Sequence, residues 1–505
     1  MIMDLALQLW QASLSASRGK GAGMALIGID IGTTAVKAVL ADQGGNRLAS
    51  YAASYATLRP TPGHVEQDPG AWMTHLQAAM AQFAGVGVRV QGIGITSQVN
   101  THVFCGADLT PLTAAIVWQD VRAAAEAAAL EARITPGAKI AALGAPIPID
   151  ASHALARMGW MAAHRADLWA QTAHVLAPKD YAIARLTGVV GADPLASVGL
   201  VGPDLRYAPA ILGLLPRSAT VLPPLHDPLD RAGTIQQGPF AGVPVVTGTM
   251  DAWAAMVGVG VAQNGQAMNL SGTSEVLGLI SATRLPEPGV ITFPNWRGIT
   301  LHAGPTQAGG ASLDWLGRII GRTVAEMAAM AGTIAAETPL FLPHLAGERA
   351  PLWDAQARGV FVGLSATHGP ADMVLAVMEG VAFSARLALE ALERAGGLRP
   401  AEIRAGGGGT ASDAWCQIRA DVFGRPLLRM RALDAGAVGA MVMAGVGCGL
   451  MPDLAQAAAR LVPLDRRFAP GAGIALADRR YAIWRDVYRQ MRRVNAALAA
   501  ERSFM

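Results

Sequence analysis

Charge is scarce in this chain. Asp, Glu, Lys and Arg make up 15% of its residues, against 52% hydrophobic ones. A disordered chain shows the reverse balance, so there is ample apolar material for burial. The formal net charge is only +3, and no cluster of Lys and Arg marks a grip on nucleic acid, so no nucleic-acid partner is expected. No uninterrupted apolar run reaches the ~18 residues that read as a membrane span, so no membrane partner is expected either. Cysteine is rare. Cys105, Cys416 and Cys448 form no CxxC pair and no even framework, which predicts small buried residues in a reducing cytoplasm. The apolar piece Leu5–Trp10 is short and lacks a basic region before it, a poor fit to a signal peptide. Residues 1–23 read as a tail before the first strand, with Met24 as an alternative start.

At 505 residues the chain is too long for one ordinary core and suits two large domains. Ala25–Ile31 reads as a strand, Gly32-Thr33-Thr34 as a turn and Ala35–Ala41 as the returning strand. A helix is expected over Ala71–Phe83, a buried strand over Val90–Thr96, and helices over Ala123–Arg133, Ala154–His164 and around Lys179–Leu186. The pattern then restarts. Val243–Thr247 is strand-like, and Met268–Leu270, Ser271–Ser274 and Glu275–Ile280 make a second hairpin with a Gly-Thr tip. Duplication is the simplest account. A long helix is expected over Ala371–Gly396, a four-glycine turn at Gly406–Gly409, and a helix over Ser412–Phe423 capped by Ser412 or Asp413. A small-residue helix follows at Ala437–Gly447 and a charged amphipathic helix at Tyr481–Glu501. Alternating strands and helices indicate an α/β class. The expected division is a tail at 1–23, a first domain at 24–254, a second at 255–480 and a terminal helix at 481–505.

Four places suit phosphoryl transfer, which needs phosphates held, charge neutralised and an acceptor hydroxyl in line. In the loop from Asp30, Gly32 admits a close backbone approach to phosphate oxygens. Thr33 and Thr34 add hydroxyl donors, Lys37 can meet a phosphate, and Asp30 can hold Mg²⁺ through water. A ligand-free polar turn is the plain alternative. The second tip, with Gly272 and Thr273, is weak alone and stronger if the two tips face each other across a cleft. The run Ala405–Thr410 suits adenine and ribose, or is a flexible loop. Asp251 follows a buried strand and can accept a hydroxyl proton as a general base, or can cap the following helix. For a sugar or polyol, Gln98, Val99, Asn100, Thr101 and His102 make a polar segment after a strand. Trp118, Gln119 and Asp120 make another, with the indole against a carbon chain. His102 reads more readily as structural.

These residues together resemble the FGGY carbohydrate kinases. The likeness rests on Asp30–Thr34, His64–Pro69, Ala115–Asp120, Pro178–Tyr181, Gly248–Asp251 and Ser271–Ser274. It continues through Leu342-Pro343, Gly347–Arg349, the glycine run into Ser412-Asp413, and above all Gly359–Leu364 with Asp372-Met373 and Ala376–Glu379. The resemblance implies a two-domain actin-like, ribonuclease-H-like ATPase fold with an interdomain cleft, ATP and Mg²⁺, and often a homodimer. It implies Asp251 as the base, Asp30 as the metal-associated acid, and Thr33, Lys37, Thr273 and Gly310 on phosphates. Gly408, Gly409, Thr410 and Asp413 match the adenosine site; Trp118 and Gln98 with its neighbours match the acceptor site.

There are departures. Near Ser152–Met161, Arg157 stands where Lys is usual and Ala154 where Pro, Ser or Thr is usual. Val99-Asn100 is neither the Arg-Glu pair of glycerol kinases nor the Met-His of xylulokinases. The implied activity is transfer of the ATP γ-phosphate to a small sugar, a pentulose such as D-xylulose. A polyol kinase, a catalytically silent nucleotide-binding regulator and a simple ATPase or phosphatase are the alternatives. A silent relative is expected to have lost the base or a phosphate loop, yet Asp251, Thr33 and Thr273 are present.

Overall fold

The computed structural model describes residues 23–432 and 434–502. The expected tail lies outside the described residues apart from Gly23. The first sheet holds β1 (Met24–Ile31), β2 (Ala35–Asp42), β3 (Arg47–Ser54), β4 (Arg89–Ser97), β5 (Arg231–Thr234) and β6 (Pro244–Val246), in the order β3-β2-β1-β4-β6-β5. β1 to β3 form an antiparallel meander; β4 runs parallel to β1, and β6 parallel to β4. Strand β1 is buried on both faces, which is why it reads as a continuous apolar run. Helix α1 (Pro69–Ala84) starts where Asp68 accepts from the Gly70 N–H and Pro69 takes the first turn. Helices α2 (Ala154–His164) and α3 (Pro178–Thr187) follow. Helix α4 (Asp251–Gly258) leads into the second half.

The second sheet holds β7 (Ala267–Ser271), β8 (Glu275–Ser281), β9 (Ile291–Thr292), β10 (Thr300–Pro305), β11 (Ile403–Gly406), β12 (Leu427–Met430) and β13 (Leu464–Phe468), in the order β9-β10-β8-β7-β11-β12-β13. Strands β7, β8 and β10 are antiparallel neighbours; β11 and β12 run parallel to β7. The five strands β10-β8-β7-β11-β12 therefore repeat β3-β2-β1-β4-β6, and the expected duplication is present in the topology. Around this sheet lie α5 (Gly310–Ile320), α6 (Pro370–Gly396), α7 (Asp413–Phe423) and α9 (Ile474–Arg502); α8 (Ala435–Gly447) follows β12 in the chain and packs elsewhere.

Four apolar clusters lie among the described residues, one of them gathering Phe104, Leu155 and Met158 around α2. Another packs the first sheet against α1, and a third packs the second sheet against α6 and α9. The fourth lies between the sheets, with Leu26 and Val246 from the first, Met268 and Leu428 from the second, and Trp253 and Met441 from α4 and α8. Helix α8 is apolar and buried on every side through Gly445, as a helix enclosed by protein must be. It belongs to the second half by sequence and lies on the first sheet. A Cβ at Gly28 of β1 would sit 1.8 Å from the Ala437 carbonyl, and one at Gly439 would sit 1.7 Å from the Ala254 carbonyl.

Two segments differ from expectation. The terminal helix starts at Ile474, not Tyr481, and is no separate unit: Tyr481, Trp484 and Tyr488 enter the second core. The charges at Asp478–Arg480 hide its first turns in sequence, yet Arg480 is buried and donates to both Glu379 oxygens at 2.8 and 2.6 Å. The four glycines are not one turn. Gly406 ends β11, Gly408–Ala411 form a 3-10 turn, and Ser412 caps α7 by accepting from the Trp415 N–H at 3.2 Å.

Candidate active site

Parallel strands β1, β4 and β6 end at one edge, the edge where open α/β sheets bind ligands. Asp30, near the end of β1, pairs in register with Lys37 of β2 and Thr96 of β4. Asp251 arrives beside it through a pinned loop. Gly248 holds φ +62°, and a Cβ there would meet the Ile95 carbonyl at 2.2 Å. The Thr96 hydroxyl donates to the Thr249 carbonyl at 2.6 Å, and the Thr249 hydroxyl to Asp193 at 2.7 Å. Asp193 in turn pairs with the fully buried Lys179 at 2.8 Å. Asp251 is not the cap of α4: Met250 holds that place. Its Oδ1 accepts from the Ala252 N–H at 2.8 Å, and no protein hydrogen bond reaches Oδ2.

Burial pushes Asp251 up to about 6, against the bond from Ala252. Burial likewise pushes Asp30 up to about 7, with Asp251 and Asp434 adding and Lys37 opposing. Asp30 Oδ1 is buried without a hydrogen-bond partner. Such a carboxyl is poised for a cation. Asp434, which sequence reasoning missed, pairs with Lys37 at 3.2 Å. A Cβ at Gly436 would come within 2.4 Å of Asp30 Oδ2, and one at Gly406 within 3.1 Å of the Ala432 carbonyl. Ala432 thus lies against the strand that leads into the glycine turn, and Gly436 against the acid that precedes the first tip.

Both tips keep backbone donors open. In the first, the Gly32 N–H closes the turn onto the Ala35 carbonyl at 3.1 Å, and the N–H groups of Thr33 and Thr34 have no protein partner. In the second, Gly272 donates to the Ser274 carbonyl at 3.0 Å, and the Thr273 N–H is free. The N–H groups of Gly408 and Gly409 are free as well. Trp118 donates from its indole to the Thr33 hydroxyl at 3.0 Å while 40% exposed, so it walls one side of the first tip. Gln98 is buried, and its Oε1 has no partner. Asn100 takes a left-handed conformation, φ 52°, and donates to Ser152 at 3.1 Å.

Several expected contacts are already committed. Both Asp120 oxygens accept from Arg122, and Oδ2 also from the Val65 N–H at 2.5 Å, so Asp120 fastens its loop instead of offering a free carboxylate. The Gly310 N–H donates to the Gly272 carbonyl at 2.9 Å; it buttresses the tip, which fills the helix's own donor. The Thr410 hydroxyl closes onto the Gly407 carbonyl at 2.7 Å. Asp413 is ion-paired with Arg429 and Arg466. Val99 packs against the apolar cluster between the sheets, as its side chain dictates. His102 accepts from Arg157, and burial with that cation nearby keeps its ring far below the usual value, a structural histidine.

Comparison with known proteins decides the family. The N-terminal domain of the FGGY family of carbohydrate kinases matches residues 25–258, and its C-terminal domain matches 267–448. The xylulose kinase of Escherichia coli is 31% identical, over 92% of this chain and 98% of its own. The chain belongs to the FGGY family of carbohydrate kinases. A ligand-bound xylulose kinase structure from Lactobacillus acidophilus superposes with TM-score 0.81 and 26% identity, over 94% of this chain and 99% of that one. A glycerol kinase of Gloeobacter violaceus is 29% identical, over 94% and 99%. The protein is an ATP-dependent sugar kinase with the actin-like two-domain fold.

What this FGGY kinase hides from its sequence is the support beneath the site. Arg157, noted only as a departure, is fully buried and donates to the carbonyls of Asn100, Ile116 and Val117, the last two at 2.9 and 2.6 Å. It sets the backbone at Asn100 and next to Trp118. Arg419 donates at 2.7 Å to both Ser271 and Glu275, tying the second tip to α7. Gln67 links the first tip to Gln98. The only signal for Gln67 is its place in the family segment His64–Pro69; Asp434 and Arg419 carry none.

Proposed function

We propose that the acceptor is a pentulose, D-xylulose foremost, that Asp251 is the general base, and that Asp30 holds Mg²⁺ through water. Asp251 carries this conclusion: a buried carboxylate with one open oxygen, at the sheet edge shared by Asp30, Gln98 and Trp118. A carboxyl near 6 is ionised at neutral pH and a stronger base than an ordinary one. It accepts the acceptor hydroxyl's proton as the new P–O bond forms and the bond to ADP breaks, in one in-line step without a phosphoenzyme. Lys37 and the open N–H groups of Thr33, Thr34 and Thr273 hold phosphate oxygens. The Gly408-Gly409 backbone lies open for the adenosine. Mg²⁺ supplies neutralisation of phosphate charge, and the orphan oxygen of Asp30 suits its hydration shell. Closure of the halves excludes water and suppresses ATP hydrolysis.

D-xylulose has the support of the whole-length likeness to xylulose kinases. A polyol such as erythritol or glycerol is the second reading, favoured by the glycerol kinase likeness. ADP release with D-xylulose, D-ribulose, erythritol and glycerol tests both. The largest kcat/KM is expected for D-xylulose; a polyol in first place installs the second reading, and no stimulation by any of them overturns both. We also place the enzyme in the cytoplasm, where its buried free cysteines stay reduced. A homodimer is expected from the family resemblance, and sedimentation checks it.

A further inference from the structure

The segment His64–Pro69 has no role in the chemistry above, yet one of its side chains is among the most enclosed polar groups in the first half. Gln67 is 0% exposed and makes three hydrogen bonds. Its Nε2 donates to the Thr33 carbonyl at 2.7 Å and to the Thr57 hydroxyl at 2.8 Å. Its Oε1 accepts from Gln98 Nε2 at 2.8 Å. A carbonyl can only accept, so the Thr33 bond fixes which end of the Gln67 amide faces the tip. That choice leaves oxygen toward Gln98, which fixes the Gln98 amide in turn. The result is that Gln98 must present Oε1, and that atom is buried without a partner. Gln98 is also anchored through its N–H to the Ile31 carbonyl at 3.0 Å. At the other end, Thr33 takes the Trp118 indole N–H on its hydroxyl at 3.0 Å.

We propose that Gln67 is a positioning residue that couples the acceptor site to the phosphate loop. Through it, the hydroxyl donated to Gln98 and the nucleotide held at Thr33 each favour the other's binding. A buried acceptor atom without a donor is costly, and an O–H of the acceptor removes that cost. The bond locks the Gln98 amide, the Gln98 amide locks Gln67, and Gln67 holds the Thr33 carbonyl so that the Thr34 N–H of the same peptide plane points to phosphate. The chain of neutral amides spans the two substrates' sites with no titrating member. Linkage requires the effect to be reciprocal. This inference rests on the acceptor assignment made above for Gln98.

The test measures the dissociation constant of MgADP with and without saturating D-xylulose, and in parallel with glycerol, in the full chain. In the unaltered enzyme one of these acceptors tightens MgADP about tenfold. In Gln67→Met that factor falls to near one, and KM rises for acceptor and MgATP together. Gln67→Glu, isosteric but without a donor for the Thr33 carbonyl when ionised, loses the coupling too. Gln98→Met loses it from the other end, and the double variant Gln67→Met with Gln98→Met loses no more than either alone. An unchanged coupling factor with only a lower melting temperature makes Gln67 structural and overturns the proposal. An unaltered enzyme that binds acceptor without coupling overturns it as well. If no acceptor raises turnover, the acceptor assignment fails first and takes this inference with it. If Gln67→Met does not fold, the Gln98→Met and Gln67→Glu factors decide.

Discussion

The two Gly-Thr tips occupy the same place in the same strand order, but they are built with opposite electrostatics. In the first half the tip follows Asp30, whose buried oxygen is unpaired, and it is tethered by neutral amides through Gln67 and Gln98. In the second half the matching position before the tip is Leu270, and the tether is a fully buried ion pair between Glu275 and Arg419 that also grips Ser271. One tip keeps its charges available; the other spends them on rigidity. On the proposed reading, duplication supplied two cradles for phosphate, and only the first stands beside acid–base groups.

Asp251→Asn tests the active side most harshly. It is expected to lower kcat by about 10²–10⁴-fold, read as sugar-dependent ADP release, with nucleotide affinity nearly unchanged. On the rigid side, Arg419→Met leaves Glu275 buried and unpaired. An expected loss of about 3–5 kcal/mol is read from urea unfolding, with a raised KM for MgATP. An equal loss of stability from Asp30→Asn would erase the contrast between the halves, but the opposite is expected. Asp30 titrates near 7 in the folded chain, above its unfolded value, so folding favours its protonated form. The ligand-free protein therefore loses stability as pH rises from about 4 to about 7, and the loss is complete above that. Asp30→Asn should therefore stabilise that protein at pH 8 by on the order of 1–3 kcal/mol, while abolishing most turnover. With Asp251 near 6, kcat/KM should fall as pH drops below about 6, tenfold per unit, and Asp251→Asn should lose that limb. The smallest effect is expected from Asp413→Asn, whose exposed pairs with Arg429 and Arg466 are worth under about 1 kcal/mol; KM for MgATP should change less than about threefold.

Much of the fold was legible because it is local. Ala25–Ile31 is a two-faced buried strand, and its apolar run says so; Ala154–His164 appears at its expected bounds because its periodicity is uninterrupted. Both tips and Asp251 announce themselves by small residues after apolar strands. What stayed hidden depends on partners distant in sequence. Arg157 reaches Asn100 and Val117, and Arg419 reaches Glu275 and Ser271. No pattern at either end names the other. Asp413 is held in the same way, by Arg429 and Arg466 from β12 and β13, whereas Asp120 is held by Arg122, only two residues along the chain.

Helix α8 has a consequence for anyone who would divide this enzyme. It is encoded after residue 430 and yet seals the sheet made by the first 246, at backbone contact. A fragment ending near residue 260 would leave Leu26, Val39 and Val246 facing water and would aggregate. Halves traded between relatives would fit only if the borrowed first half brought its own copy of that helix.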